Sequence, residues 1–135
     1  MHDKVIGASL PSVGALAYLG DARHSLAVRR LLVERGVSKP GELNRLSLKY
    51  VTCEAQAEMY RKIEHLLAED EQAVFKRAAN SSHLNRPKRA SVTDYRYATG
   101  FEAVIGMLSY LGDEERIEEL LKIAHKEILT DDTED

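Results

Sequence analysis

Two stretches of this 135-residue chain are apolar over a helical length, and each carries one carboxylate. Val13–Ala22 reads Val-Gly-Ala-Leu-Ala-Tyr-Leu-Gly-Asp-Ala, with Asp21 its only charge. Ala98–Leu111 reads Ala-Thr-Gly-Phe-Glu-Ala-Val-Ile-Gly-Met-Leu-Ser-Tyr-Leu, with Glu102 its only charge. A helix apolar nearly all round belongs at the centre of a fold, and an ionised carboxylate among apolar neighbours is costly unless something pairs with it. Taken singly, each acid has a plain structural reading, a buried carboxylate held by backbone or by an arginine such as Arg29 or Arg30. Taken together they point to a shared divalent cation that relieves their repulsion. Acid oxygens completed by water suit Mg²⁺ or Mn²⁺ better than zinc. Such a cation is a Lewis acid and water activator suited to phosphodiester cleavage.

Gly20 and Gly106 sit inside the same stretches. A helical glycine costs about 1 kcal/mol relative to alanine, so each marks a place where another backbone or a ligand comes close.

The remaining chain reads as helices. Ser12 is placed to cap a first helix of about 23 residues, which runs to Arg35 with Gly36 as its left-handed stop. Pro40 opens a short helix carrying Leu43, Leu46 and Tyr50. Thr52 caps the next, where Ala55, Met59, Ile63 and Leu66 keep the 3.6-residue period. The acids Glu69, Asp70 and Glu71 suit the first turn of another. From Asn80 to Val92 the hydrophobic period dissolves and an exposed loop is expected. Thr93 or Asp94 then caps the second apolar helix, and Gly112-Asp113 separates it from a last one with Ile117, Leu120, Leu121, Ala124 and Ile128 on one stripe. The fold class is all-α, one domain of six to seven helices over residues 1–129, followed by an acidic tail at 130–135.

Composition bounds the function. No apolar run reaches the roughly 20 residues needed to cross a bilayer, and the N-terminus lacks the pattern of a secretion signal. Cys53 is the only cysteine, which excludes an intramolecular disulfide and fits a reducing cytoplasm; it has no activating neighbours in sequence and is assigned no role. The net charge of −3 hides an uneven distribution. Between Lys76 and Tyr97 six basic residues (Lys76, Arg77, Arg86, Lys88, Arg89, Arg96) face one acid, Asp94. Basic groups on a loop can follow phosphates and make binding salt-dependent, and duplex RNA is read mostly through shape and backbone. Lys76, Arg77, Arg86, Lys88, Arg89 and Arg96 are therefore candidate RNA contacts, against the plain alternative of a solvated loop. His24 is either a phosphate contact or a partly buried helix residue, and His83 a loop contact.

These residues carry a family likeness. Leu16-Ala17-Tyr18-Leu19-Gly20-Asp21-Ala22 and Phe101-Glu102-Ala103-Val104-Ile105-Gly106 resemble the two signature segments of the ribonuclease III nuclease domain. Tyr95-Arg96-Tyr97-Ala98-Thr99-Gly100-Phe101-Glu102 resembles the wording of the second segment in its compact branch, Mini-ribonuclease III. The likeness extends over about Gly14 to Ala124, and the chain ends where a double-stranded-RNA-binding domain would begin.

The resemblance implies a homodimer in which each protomer holds Mg²⁺ through Asp21 and Glu102, with Tyr18 and Leu19 in the dimer interface. It implies cleavage of double-stranded RNA to 5′-phosphate and 3′-hydroxyl ends, in maturation of 23S ribosomal RNA precursors. Full-length relatives carry further acids where this chain has Ala17 and Thr99, which narrows the likeness to the compact branch. Arg23-His24-Ser25 and Lys76-Arg77-Ala78-Ala79-Asn80 depart from the family wording beside the acid and in the basic segment, and only through this resemblance does Asn80 join the candidate RNA contacts. Two other function classes compete: a catalytically silent RNA-binding scaffold on the same fold, and an all-α metal-dependent nucleotide phosphohydrolase.

Overall fold

The computed structural model describes residues 9–81 and 87–126. Within them the chain forms α1 (Val13–Glu34), α2 (Pro40–Val51), α3 (Cys53–Ile63), α4 (Glu69–Ser81), α5 (Val92–Tyr110) and α6 (Glu114–Ala124), with a 3₁₀ turn at Glu64–Leu66. No strand occurs among the described residues, so the all-α reading holds. His83, Arg86, Ile128 and the acidic tail lie outside the described residues.

Helix ends follow local chemistry. The Ser12 hydroxyl accepts from the Ala15 amide at 3.1 Å, and Thr52 accepts from the Ala55 amide at 3.1 Å. α1 and α5 stop in the same way. The Val37 amide donates to the Leu32 carbonyl and the Gly36 amide to Val33, while Asp113 donates to Leu108 and Gly112 to Ser109. This is a Schellman closure, with Gly36 and Gly112 at positive φ.

Two boundaries differ from the sequence reading. α5 is capped by Ser91, whose hydroxyl accepts from the Asp94 amide at 3.0 Å, and not by Thr93 or Asp94. The Asp94 carboxylate is drawn away to Arg61 at 3.0 Å. α4 continues through Asn80 to Ser81, where the Ser81 hydroxyl donates back to the Ala78 carbonyl at 3.0 Å; Asn80 is helical, and residues 87–90 form a turn ahead of α5.

α5 is the central post. It packs most extensively along α1, and α4 and α3 cover its other sides. From Ala98 to Leu108 only Thr99 and Glu102 escape full burial. α1 departs from the expectation of all-round burial. Only Leu16, Gly20, His24, Val28 and Leu32, spaced four apart, are buried, and Tyr18 is 84% exposed. Among the described residues of a single chain nothing covers the outer face of α1.

Gly20 and Gly106 set the α1–α5 spacing. A β-carbon on Gly20 would collide with the Glu102 carbonyl, and one on Gly106 with the Leu16 carbonyl. The two glycines interlock backbone against backbone, which settles the choice between backbone and ligand as the group that comes close. That contact brings the turn bearing Asp21 against the turn bearing Glu102.

Candidate active site

The two acids meet at the edge of this close crossing. Asp21 and Glu102 line one open cleft of about 330 Å³ with Val13, Gly14, Ala17, Tyr18, Ser81, Tyr95 and Thr99. Asp21 is exposed and Glu102 half-buried. Burial, then the Asp21 charge and a hydrogen bond with Asp21, push the Glu102 carboxyl up to about 8, while a hydrogen bond from Gln56 pulls it down. Burial and a neighbouring acid both disfavour the charged form of this carboxyl. Arg30 does not neutralise Asp21; it turns to Glu34 at 3.5 Å.

Among the described residues no cluster of three or more His, Cys, Asp or Glu side chains gathers as a metal cage. Two carboxylates in an open cleft instead fit a hard cation that keeps most of its water, the habit of Mg²⁺. Ala17 and Thr99, where the full-length ribonuclease III pattern has acids, line this same cleft. Their small side chains leave its wall open.

The candidate RNA contacts do not form one patch. Arg77 and Asn80 are exposed on α4, and Lys88 and Arg89 are exposed in the turn before α5. The cleft sits between these elements, because Ser81 at the end of α4 and Tyr95 in the first turn of α5 both line it. Lys76 opens on a separate hollow with Tyr60, Glu64, Gln72, Phe75 and Tyr97. Arg96 is half-buried, and its Nε is enclosed without a hydrogen-bond partner among the described residues. Arg86 lies outside the described residues.

His24 does not face the cleft. It is fully buried, edge-on to Phe101, and its Nε2 lies 2.9 Å from Nε2 of His125. Arg23 is taken up by Glu114, at 2.7 Å. Two of the three residues of the departure beside Asp21, Arg23 and His24, are thus used in packing the α6 region against α1. Cys53 is half-buried, and burial raises its thiol.

Sequence reasoning missed three residues. Tyr95 and Ser81 line the cleft, and Gln56, only 3% exposed, donates to Glu102 Oε2 at 3.4 Å. Gln56 carried a readable signal. It shares the buried face of α3 with Met59, Tyr60 and Ile63, a lone polar residue on an apolar stripe, as Asp21 and Glu102 are.

The chain matches the ribonuclease III domain family over residues 14–113. It is 42% identical over 109 residues to the Mini-ribonuclease 3 of Brevibacillus brevis, covering 81% of each chain. It is 39% identical over 116 residues to that of Enterococcus faecalis, covering 84% of this chain and 88% of the relative. A crystal structure of a protein from Fusobacterium nucleatum superposes with a TM-score of 0.76 at 35% identity, over 85% of this chain and 93% of that one. The chain belongs to the ribonuclease III family, in its Mini-ribonuclease 3 branch. It is an endoribonuclease.

Proposed function

We propose that this chain cleaves double-stranded RNA in a divalent-metal-dependent reaction, that Asp21 and Glu102 hold the cation, and that the substrate is a 23S ribosomal RNA precursor. The observation that carries the reading is the meeting of two carboxylates in one open cleft, with Glu102 pushed up to about 8 by burial and by its partner. A divalent cation, once bound, supplies Lewis-acid activation of water and of the phosphodiester. Asp21, exposed at the cleft mouth, and Glu102, anchored deeper against α5, would hold it as carboxylates. Tyr18 and Tyr95 wall the cleft, and Arg77, Asn80, Lys88 and Arg89 flank it as phosphate contacts; Lys76, Arg86 and Arg96 extend that set. Cleavage leaves 5′-phosphate and 3′-hydroxyl ends.

A homodimer accompanies this reading. It is supported by the outer face of α1, where Tyr18, Leu19, Leu26 and Val33 are exposed at helical spacing, a surface suited to a second copy. Two copies present two clefts, one for each strand of a duplex. Light scattering then gives twice the chain mass; a monomer mass at micromolar concentration contradicts the dimer. Cytoplasmic residence agrees with the lone Cys53, and no helix among the described residues is long and apolar enough to cross a membrane.

The test is cleavage of structured pre-23S RNA with Mg²⁺, run beside Asp21→Asn and Glu102→Gln. Metal-dependent cutting lost in both variants supports the reading. A wild-type protein that binds the RNA but cuts no faster than the variants replaces it with the silent scaffold.

A further inference from the structure

Glu102 is the first member of a buried polar chain that crosses the core. Gln56 Nε2 lies 3.4 Å from Glu102 Oε2 and 3.4 Å from His24 Nδ1. His24 Nε2 lies 2.9 Å from His125 Nε2. Gln56, His24 and His125 are 3%, 0% and 5% exposed. Four residues on α1, α3, α5 and the end of α6 are joined, with Glu102 at one end lining the acid cleft and His125 at the other reaching the wall of a second hollow beside Arg23 and Lys122.

The hydrogens in this chain have one self-consistent arrangement. An ionised carboxylate accepts only, so Gln56 must present its amide nitrogen to Glu102. That nitrogen is donor-only, so His24 Nδ1 is an acceptor and carries no proton. A neutral imidazole has one N–H, which then sits on His24 Nε2 and donates to His125 Nε2. His125 must keep Nε2 bare, with its proton on Nδ1. Burial holds both rings in the neutral form this needs: His24 is lowered to about 3 by burial and by the nearby His125 and Arg23 charges, and His125 to about 4 by burial and Lys62. A protonated His24 would turn a donor toward Gln56, and the amide would flip its oxygen toward His24, carrying the nitrogen away from Glu102.

We infer that Gln56 is a positioning residue for Glu102, held in its donating orientation by the His24–His125 pair. Its N–H fixes one carboxylate oxygen, so the other is left to face Asp21 and the cation. Partners that orient a metal-binding side chain typically matter by about 10- to 100-fold in affinity. The inference rests on Asp21 and Glu102 being the cation site.

Two measurements test it. In the metal-free wild-type protein at pH 9, where the Glu102 carboxyl is ionised, ¹⁵N shifts of the histidine rings show His24 protonated on Nε2 and His125 on Nδ1; the opposite tautomers, or a charged ring, overturn the arrangement whatever the metal does. In the second, Mn²⁺ binding to the free protein is followed by electron paramagnetic resonance. Gln56→Leu, with an unchanged circular dichroism spectrum, weakens Mn²⁺ by about 10-fold or more. His125→Phe weakens Mn²⁺ in the wild-type background and adds nothing in Gln56→Leu, a coupling that a merely structural role for His125 would not produce. Loss in Asp21→Asn without loss in Gln56→Leu overturns the role of Gln56 alone. No loss in either overturns the cation site and this inference together.

Discussion

The α1–α5 seam carries two polar clusters of opposite character. At one, Asp21 and Glu102 share an open cleft, and burial with the neighbouring charge raises Glu102 to about 8. At the other, His24 meets His125 in the core, where burial keeps both neutral. One helical turn of α1 separates the acid from the histidine, yet the first residue faces solvent and the second faces the core. The difference is one of access. A charge that water or a cation can reach is a reactive group, whereas a titratable group closed off from both becomes a fixed hydrogen-bonding part. Gln56 joins the two clusters.

Removing a carboxylate breaks the comparison most severely. Asp21→Asn or Glu102→Gln lowers duplex-RNA cleavage by about three orders of magnitude, the equivalent of about 4 kcal/mol of transition-state stabilisation. The fold survives, since neutralising either acid removes repulsion; single-turnover rates beside thermal melts check both halves of the statement.

The seam itself is the next target. Gly20→Ala drives a β-carbon into the Glu102 carbonyl, and separating the helices costs about 3 kcal/mol or more. A methyl added at Gly14, on the same helix, meets nothing within 4 Å, so Gly14→Ala gains up to about 1 kcal/mol of helix propensity. Urea unfolding of the two variants gives shifts of opposite sign; equal shifts would deny the close crossing.

The two clusters also titrate against each other. Below pH 6.5 the unfolded chain takes up two histidine protons that the folded chain refuses, so stability falls as pH drops. Glu102 works the other way: the folded metal-free protein holds its proton up to about 8, so this group's contribution to stability falls as pH rises from 4.5 to 8 and is unopposed above 6.5. Metal-free stability therefore peaks near pH 6.5, with each limb sloping by at most about 1.4 kcal/mol per unit and group, and less for the partly solvated carboxyl. Glu102→Gln flattens the alkaline limb and steepens the acid limb, where its carboxyl opposes the histidines. Denaturant midpoints from pH 5 to 8.5 show this, and an alkaline limb unchanged in the variant assigns it to another group.

The smallest effect belongs to the basic residues beside the cleft. Lys88→Ala/Arg89→Ala weakens duplex-RNA binding and reduces the slope of log affinity against log salt by about 2. The slope stays unchanged if these side chains are only solvated.

Much of this was legible in the residues. Ser12 and Thr52 were readable as caps because their spacing to the first apolar turn allows little else, and Asp21 and Glu102 stood out as single charges in apolar stretches. What could not be read was set by contacts distant in sequence. Ser91, Thr93 and Asp94 are all competent caps, and Ser91 wins because Arg61 takes the Asp94 carboxylate. Glu71 reads as a solvated acid of a first turn but is fully buried, accepting from the Ala68 amide and from Arg116 on α6. Tyr60 and Phe75 stack at 3.9 Å across α3 and α4, which no local period announces. His24 was ambiguous for the same reason: its partner His125 is 101 residues away in sequence, and only the packing of α6 sends the ring inward.

The central claim is that the acid pair works through a divalent cation. Its most direct measurement is the rate of duplex-RNA cleavage after EDTA treatment, followed by Mg²⁺ add-back across a concentration series. The account predicts no cutting in EDTA, saturable recovery in the wild type, and no recovery in Glu102→Gln. Cutting that persists in EDTA, or recovers equally in Glu102→Gln, contradicts it.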